Sequence, residues 1–423
     1  MRGWQRWLRV NDRIGELGRS TLLSTTSLGT RAIIQAAYLL IVSRWLGAEG
    51  YGLFAGSVAL LTLGAPLANW GSSLLLARYI AQDRNSSRAM WATALVQTGI
   101  IGSLLIIGML IIASLILQQS LPLGPMLMLA LAELILLPAA QAATSQCYAL
   151  EHSTASAVSI CLVPLGRILL IISSVASGVA GTPEHAATAH FIGSGLGLAA
   201  AVALVARIDG LPAWRSRLSF CKATRQGTAY AISNTAGTGY QEVDKILMLQ
   251  LLGAAVVGPY TVAFRITSIL VLPITALISA TLPRLISQHL NSSTPRTYRT
   301  LLYVALGYGG LAGMAMLIAA PVAPYLFGPG YEQTSRYLLL LAPWPMLFAL
   351  RQCLATKLTA SNYQLLRSTA ETTGLILAIA LNIILLPRIG EAGSALSLLA
   401  TEVTISIVLW TLIHKKYRED QTN

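Results

Sequence analysis

LGAEGYGLFAGSVALLTLGAPLANWGSSLLLARYIAQDRNSS, residues 46–87, returns in outline as LGAAVVGPYTVAFRITSILVLPITALISATLPRLISQHLNSS, residues 252–293. Twelve of the forty-two positions are identical without a gap, where chance would give roughly three or four. The identities include Leu46–Gly47–Ala48 with Leu252–Gly253–Ala254, Gly52 with Gly258, and the NSS triplets at Asn85 and Asn291. A chain that repeats itself half its length apart is built from two copies of one unit.

Each copy carries apolar runs long enough for lipid, which need about 20 residues. The whole chain is 55% hydrophobic and 11% charged, with a mean hydropathy of +0.65, against about a quarter charged in soluble proteins. Twelve spans are expected, at 21–43, 51–77, 89–116, 122–148, 154–178, 186–206, 227–251, 256–283, 298–326, 337–359, 364–386 and 391–413. The fold class is therefore an all-α polytopic membrane protein of two six-helix lobes. Six spans is an even number, so the two copies share one orientation and are related by an axis along the membrane normal. The expected divisions are an interfacial N-terminus at 1–20, an N-lobe at 21–206, a basic linker at 207–226, a C-lobe at 227–413 and a tail at 414–423.

The net charge is +13, which in a soluble protein would point toward nucleic acid. Its placement excludes that reading. Of 29 Lys and Arg, 21 fall on the side of the termini, three on the opposite side and five inside spans. This asymmetry places both termini in the cytoplasm. Trp4, Trp7 and Leu8 share a helical face among four arginines, a pattern suited to lying on anionic membrane lipids. No apolar run follows directly, so the segment is a poor signal peptide. Cys147, Cys161, Cys221 and Cys353 are expected to stay unpaired. His185 and His190 read as a loop pair at the surface, without metal-ligand spacing.

Ten charges lie inside spans: Arg31, Arg167, Lys245, Arg265, Arg351, Glu133, Glu242, Asp244, Glu371 and Glu402. Each costs about 2.5–3.5 kcal/mol at mid-bilayer unless it faces water or a partner. Helical spacing draws several into polar stripes. In the first span these are Ser20, Ser24, Ser27, Arg31, Gln35 and Tyr38; in the seventh, Asn234, Thr238, Gln241 and Lys245, with Glu242 and Asp244 beside them. The eighth has Thr261, Arg265, Ser268, Thr275 and Ser279, and the eleventh Gln364, Ser368, Glu371 and Asn382. Such stripes suit a water-filled path between the lobes. The alternative is a buried ion-pair network holding the bundle, to which Glu133 and Glu402 are best suited. Glu242 and Lys245, three apart, could neutralise each other. In the first lobe the balance is positive, and arginine suits phosphate because its planar fork donates paired hydrogen bonds. An anionic, phosphorylated substrate is expected. No phosphate-binding loop of the nucleotide-hydrolysing kind is present. No cofactor is expected. Coupling to H+ or Na+ could use Asp244, Glu242 or Glu371.

RWLGAEGYGLFAGS (44–57), VDKILMLQLLGAAVVGPYTVAFRI (243–266), LFGPGYEQTSRYLLLLA (326–342) and LNIILLPRIGEAGSALS (381–397) resemble the Wzx-type polysaccharide-unit flippases. These belong to the multidrug/oligosaccharidyl-lipid/polysaccharide (MOP) exporter superfamily. The resemblance implies twelve helices in two lobes, alternating access, a cationic central cavity and no enzymatic activity. It also implies a lipid-linked oligosaccharide substrate on undecaprenyl diphosphate, and contact with other proteins of O-antigen, lipopolysaccharide or capsule assembly. Family positions in the first, seventh and eighth helices map onto Arg31, Asp244 and Arg265. Lys245, Arg167, Arg351, Gln35 and Gln241 complete the candidate substrate site. Some relatives hold sodium with an acid in helix seven and an Asn in helix eleven, which would be Asp244 and Asn382. The further acid one turn on is replaced here by Leu386. Pro66, Pro273, Gly237 and Gly239 are candidate soft points for rocking of the lobes. A lipid II flippase, a cation-coupled multidrug antiporter and, more remotely, a membrane polymerase or ligase are the competing readings.

Overall fold

The computed structural model describes residues 2–117, 120–214, 220–289, 295–361 and 363–422, and they are almost entirely helical. Among them, ten helices are long and apolar enough to cross a membrane. Two further spans make twelve. Thr26–Asn69 is one hydrophobic stretch but bends at Gly47, so it holds the first and second spans. Phe220–Leu252 is the seventh span, too rich in polar residues to pass on hydropathy. The chain is thus a multi-pass membrane protein of two six-helix lobes. Large apolar side chains such as Leu104, Leu115, Ile318 and Ile376 are exposed on its outside, as a surface solvated by lipid requires. For Trp4, Trp7 and Leu8 only the helical backbone is described, so the face expected of their side chains lies outside the description; the NSS triplet at Asn291 and part of the basic linker lie outside the described residues.

The repeat is visible in the backbone. Gly47 has φ 69°, ψ 174°, and its repeat mate Gly253 has φ 85°, ψ 170°. Only glycine occupies that region without strain of order 1–3 kcal/mol. Each Leu-Gly-Ala therefore turns one span into the next with a single residue.

The two turns meet across the lobes. A Cβ on Gly52 would lie 1.9 Å from the carbonyl oxygen of Ala254, and one on Gly258 would lie 2.0 Å from that of Ala48. The contact is reciprocal, as a pseudo-twofold axis demands, and it seals the side of the membrane away from the termini. Tyr331 tightens the seal by donating to the Ser43 carbonyl at 2.9 Å. Replacing Gly258 with alanine is expected to prise this side open. In a variant lacking the native cysteines and carrying Val58→Cys in the cavity, a membrane-impermeant thiol reagent added from the far side should react several-fold faster with G258A than with the parent. Equal rates would show that the seal absorbs the methyl group.

Other expected spans are broken within their length. The second ends at Asn69 and resumes at Ser72; the eighth breaks between Leu270 and Leu272, next to Pro273; the tenth breaks before Trp344, at Pro343. Pro66 and Pro273 thus lie beside real breaks. Gly237 and Gly239 do not, since the seventh helix runs through them unbroken.

Candidate functional site

The fourth span carries a local irregularity that aims an acid inward. Pro138 has no N–H, and just before it Ala132–Leu136 form a π-helical turn, with the Leu137 N–H reaching back to the Ala132 carbonyl. Glu133 sits on this turn, nearly buried. Its Oε1 accepts from Arg167 Nη2 of the fifth span at 2.8 Å and bonds His190 Nε2 of the sixth at 2.7 Å. Arg167 Nε also donates to Ser194 Oγ at 2.8 Å. The fifth and sixth helices come close enough for this because Gly166 and Gly193 meet backbone to backbone; a Cβ on either would fall within 2.6 Å of the other's carbonyl oxygen.

This cluster forms part of the wall of a partly open cavity of about 400 Å³. Tyr38, Tyr51, Phe54 and His190 line the end next to the glycine seal. From there the cavity extends toward the terminal side along Gln35 and Arg31, Gln141 and Thr144, and Ser159. The second lobe contributes Arg265, Ser268, Ile269 and Leu272. The site therefore lies between the lobes, mostly on the first.

Of the seven candidate substrate residues, Arg31, Gln35, Arg167 and Arg265 come together here. Arg31 forms no ion pair among the described residues, and its Nε is buried without a hydrogen-bond partner. Arg265 keeps about a third of its side chain exposed and lies 3.5 Å from Glu242. Three permanent cations thus line the cavity with one acid, Glu133. An oxyanion bridging Arg31, Arg167 and Arg265 would satisfy the orphaned Nε and the excess charge together.

Lys245, Arg351 and Gln241 do not line the cavity. Lys245 is fully buried, 3.1 Å from Asp244 and 3.4 Å from Glu242, donates to the Gln241 carbonyl, and lies 3.5 Å over the Phe264 ring. Arg351 is locked to Glu402 at 2.7 Å and bonds the Tyr240 hydroxyl, to which Gln241 also donates. In the seventh-span stripe Asn234 is exposed and Thr238 half-buried, and neither borders the cavity.

The four ion-coupling candidates do not line the cavity either. Asp244 accepts from the Tyr260 hydroxyl besides holding Lys245. Glu371 pairs with Arg367 at 3.0 Å. Asn382 donates to Ala378 O and Ser397 Oγ and accepts from Ser394 Oγ, which ties it to the twelfth helix. Among the described residues no three His, Cys, Asp or Glu side chains gather as a metal site.

The histidine reading needs correction. His190 is no surface residue; it is buried in the helix Pro183–Asp209, held by Glu133 and, at Nδ1, by the Tyr38 hydroxyl at 3.0 Å. His185 alone is exposed. The helix starts earlier than expected, because Thr182 caps it by accepting from the His185 N–H, with Pro183 in the first turn.

Comparison with known proteins agrees with this architecture. A family described as "Polysaccharide biosynthesis protein" matches residues 17–289, well over half of the chain. An inward-facing multidrug resistance MATE family transporter of the MOP superfamily superposes with a TM-score of 0.70 at 16% identity, over 95% of this chain and 100% of that one. An outward-facing structure of such a transporter gives 0.67 at 16% identity, over 96% and 97%. The MATE multidrug transporter DinF-BH, in complex with R6G, gives 0.67 at 14% identity, over 95% of both chains. At such identities the likeness concerns the fold. No curated protein matches the sequence. The chain is therefore a multi-pass membrane member of the polysaccharide biosynthesis protein family, with a fold like that of the MATE transporters of the MOP superfamily.

Proposed function

We propose that this protein flips oligosaccharide units linked to undecaprenyl diphosphate across the cytoplasmic membrane, for assembly of a surface polysaccharide such as O-antigen or capsule. The observation that carries the reading is the cationic cavity between the lobes, with Arg31 inside it forming no ion pair among the described residues. Arg31, Arg167 and Arg265 bind the diphosphate. The uncharged polar groups Gln35, Gln141, Thr144 and Ser268 meet sugar hydroxyls, and Tyr38, Tyr51 and Phe54 offer flat apolar faces to sugar rings. The polyprenyl tail stays in lipid. With the termini in the cytoplasm, the structure corresponds to the state that receives substrate from the inner leaflet. Rocking of the lobes parts the Gly52–Gly258 seal and delivers the unit outward. The lobes change only their hydrogen bonds and contacts with the substrate, so no catalytic chemistry is required of the chain.

A cation-coupled multidrug antiporter fits the cavity less well. Its one acid, Glu133, is already held by Arg167 and His190, and the surrounding charge repels cations. A lipid II flippase shares the diphosphate chemistry and is separated by substrate. The deciding experiment is complementation of a flippase-deficient strain that makes a defined repeat unit. Surface polymer is expected to return. No polymer despite normal expression, together with gained resistance to cationic drugs in a pump-deficient strain, would favour the antiporter.

A further inference from the structure

Arg167 is offered to the cavity by a carboxylate that also holds it back. Glu133 Oε1 receives both the Arg167 guanidinium at 2.8 Å and His190 Nε2 at 2.7 Å. An anion arriving in the cavity competes with Glu133 for the same guanidinium. The competition ends if the carboxylate loses its charge, and the second group able to take a proton there is the His190 imidazole bonded to it. We infer that the Glu133–His190 pair is a proton site linked to anion binding, taking up one proton as Arg167 passes from the carboxylate to the anion. This deepens the proposed function and rests on the anion-binding cavity described there.

The proton balance is simple. One proton moves from cavity water onto the pair, Arg167 keeps all of its protons, and no bond other than hydrogen bonds breaks. His190 already has a partner at each ring nitrogen, Glu133 on one side and the Tyr38 hydroxyl on the other. Tyr38 can reverse its role, donating to a bare Nδ1 or accepting from a protonated one, so the site holds either charge state without a stranded donor. Neighbouring elements bring mainly positive charge to the pair. Arg167 comes from the fifth helix and Arg265 from the eighth, with Arg31 and Tyr38 from the first and Tyr51 from the second. These cations oppose protonation of the empty site. A bound anion offsets them, which is the physical origin of the linkage. The three acids and one amide expected from the sequence to couple ions lie instead in the second lobe, engaged with other partners.

Linkage fixes the sign: if the anion favours the protonated pair, protons favour the anion equally. Anion affinity rises as pH falls, by at most about tenfold per pH unit for a single proton, and levels off once the empty site is itself protonated. The probe must not titrate, so ethane-1,2-disulfonate is used with the purified full-length protein in nanodiscs. In the wild type, its affinity is expected to rise as pH is lowered from 8 to 5.5, with up to one proton taken up per anion, read calorimetrically in two buffers of different ionisation enthalpy. Glu133→Gln removes the competing charge, so it should bind at least as tightly as the wild type at its acid limit, with a flat pH profile and no proton uptake. His190→Gln should move the profile to lower pH. A merely structural ion pair would change affinity without changing the slope. A wild-type profile as flat as that of E133Q, or a slope retained in E133Q, overturns the proton site while leaving the anion cavity intact. Failure of the wild type to bind the disulfonate at any pH removes the cavity reading and the proton site with it.

Discussion

Arg31→Ala should abolish surface polysaccharide while leaving the protein folded and at its normal level in the membrane. Arg31 is the cavity cation with no acid beside it among the described residues, and its Nε is buried without a partner. Removing it therefore leaves no carboxylate stranded, and fold stability should hold or rise. What is lost is contact with the diphosphate. Hydrogen bonds to charged groups contribute about 1.5–3 kcal/mol each, so binding of an anionic probe should weaken by roughly 10- to 150-fold. Arg31→Lys restores the charge but not the fork, and only part of the activity should return. Arg265→Ala is the parallel case at a cation that does have an acid beside it. Its partner Glu242 keeps Lys245 at 3.4 Å, so that variant should also fold but lose export. Wild-type amounts of surface polymer in R31A, at matched expression, would remove Arg31 from the substrate path.

The spans were legible because lipid imposes one dominant requirement, a long apolar helix, which all but the polar seventh meet. The sixth span is an example: although rich in glycine and alanine, Pro183–Asp209 is long and apolar enough to cross the membrane. The breaks at Pro343 and beside Pro273 follow from missing backbone donors and are readable one residue at a time. The π-helical turn at Glu133 is harder to read, since proline removes a donor without saying how the preceding turn will adjust. Arg31, Gln35, Arg265 and Ser268 line the cavity and stand in polar stripes in the sequence, because a cavity-facing helix repeats its polar residues at helical spacing. Helical spacing is the same for a residue facing water and for one facing a partner on another helix. Lys245 and Arg351 show the difference: both are polar and inward, and both end in ion pairs whose partners are fixed only by tertiary packing. His190 was missed because its neighbours are small and apolar and its partners lie on three other spans. The available signal was its place eight residues past Thr182-Pro183, well inside the helix that this pair starts.

The second large effect concerns Arg351, and it separates a strut from a ligand. Arg351 and Glu402 are 2% and 0% exposed. Arg351 Nε donates to Glu402 Oε2 at 2.7 Å, and Trp344 Nε1 and the Tyr240 hydroxyl each donate to Glu402 Oε1 at 3.1 Å. Three helices of the second lobe are tied together at this point. Glu402→Ala leaves Arg351 with Glu371 at 4.0 Å, an acid already engaged by Arg367. Stranding a buried charge in this way should cost about 3–5 kcal/mol, seen as a large fall in melting temperature and in the amount of monodisperse protein. The double variant R351M/E402Q should recover most of that loss. Methionine fills the space without charge, and the glutamine carbonyl still accepts from Trp344 and Tyr240. Its phenotype is decisive for mechanism. If Arg351 only braces the lobe, the folded double variant exports polysaccharide at close to the wild-type level, although one of the five intramembrane cations is gone. If the double variant folds, still binds the anionic probe and yet fails to export, Arg351 must leave Glu402 and meet the substrate after the lobes have rocked. The ion pair would then be the resting state of a second binding site.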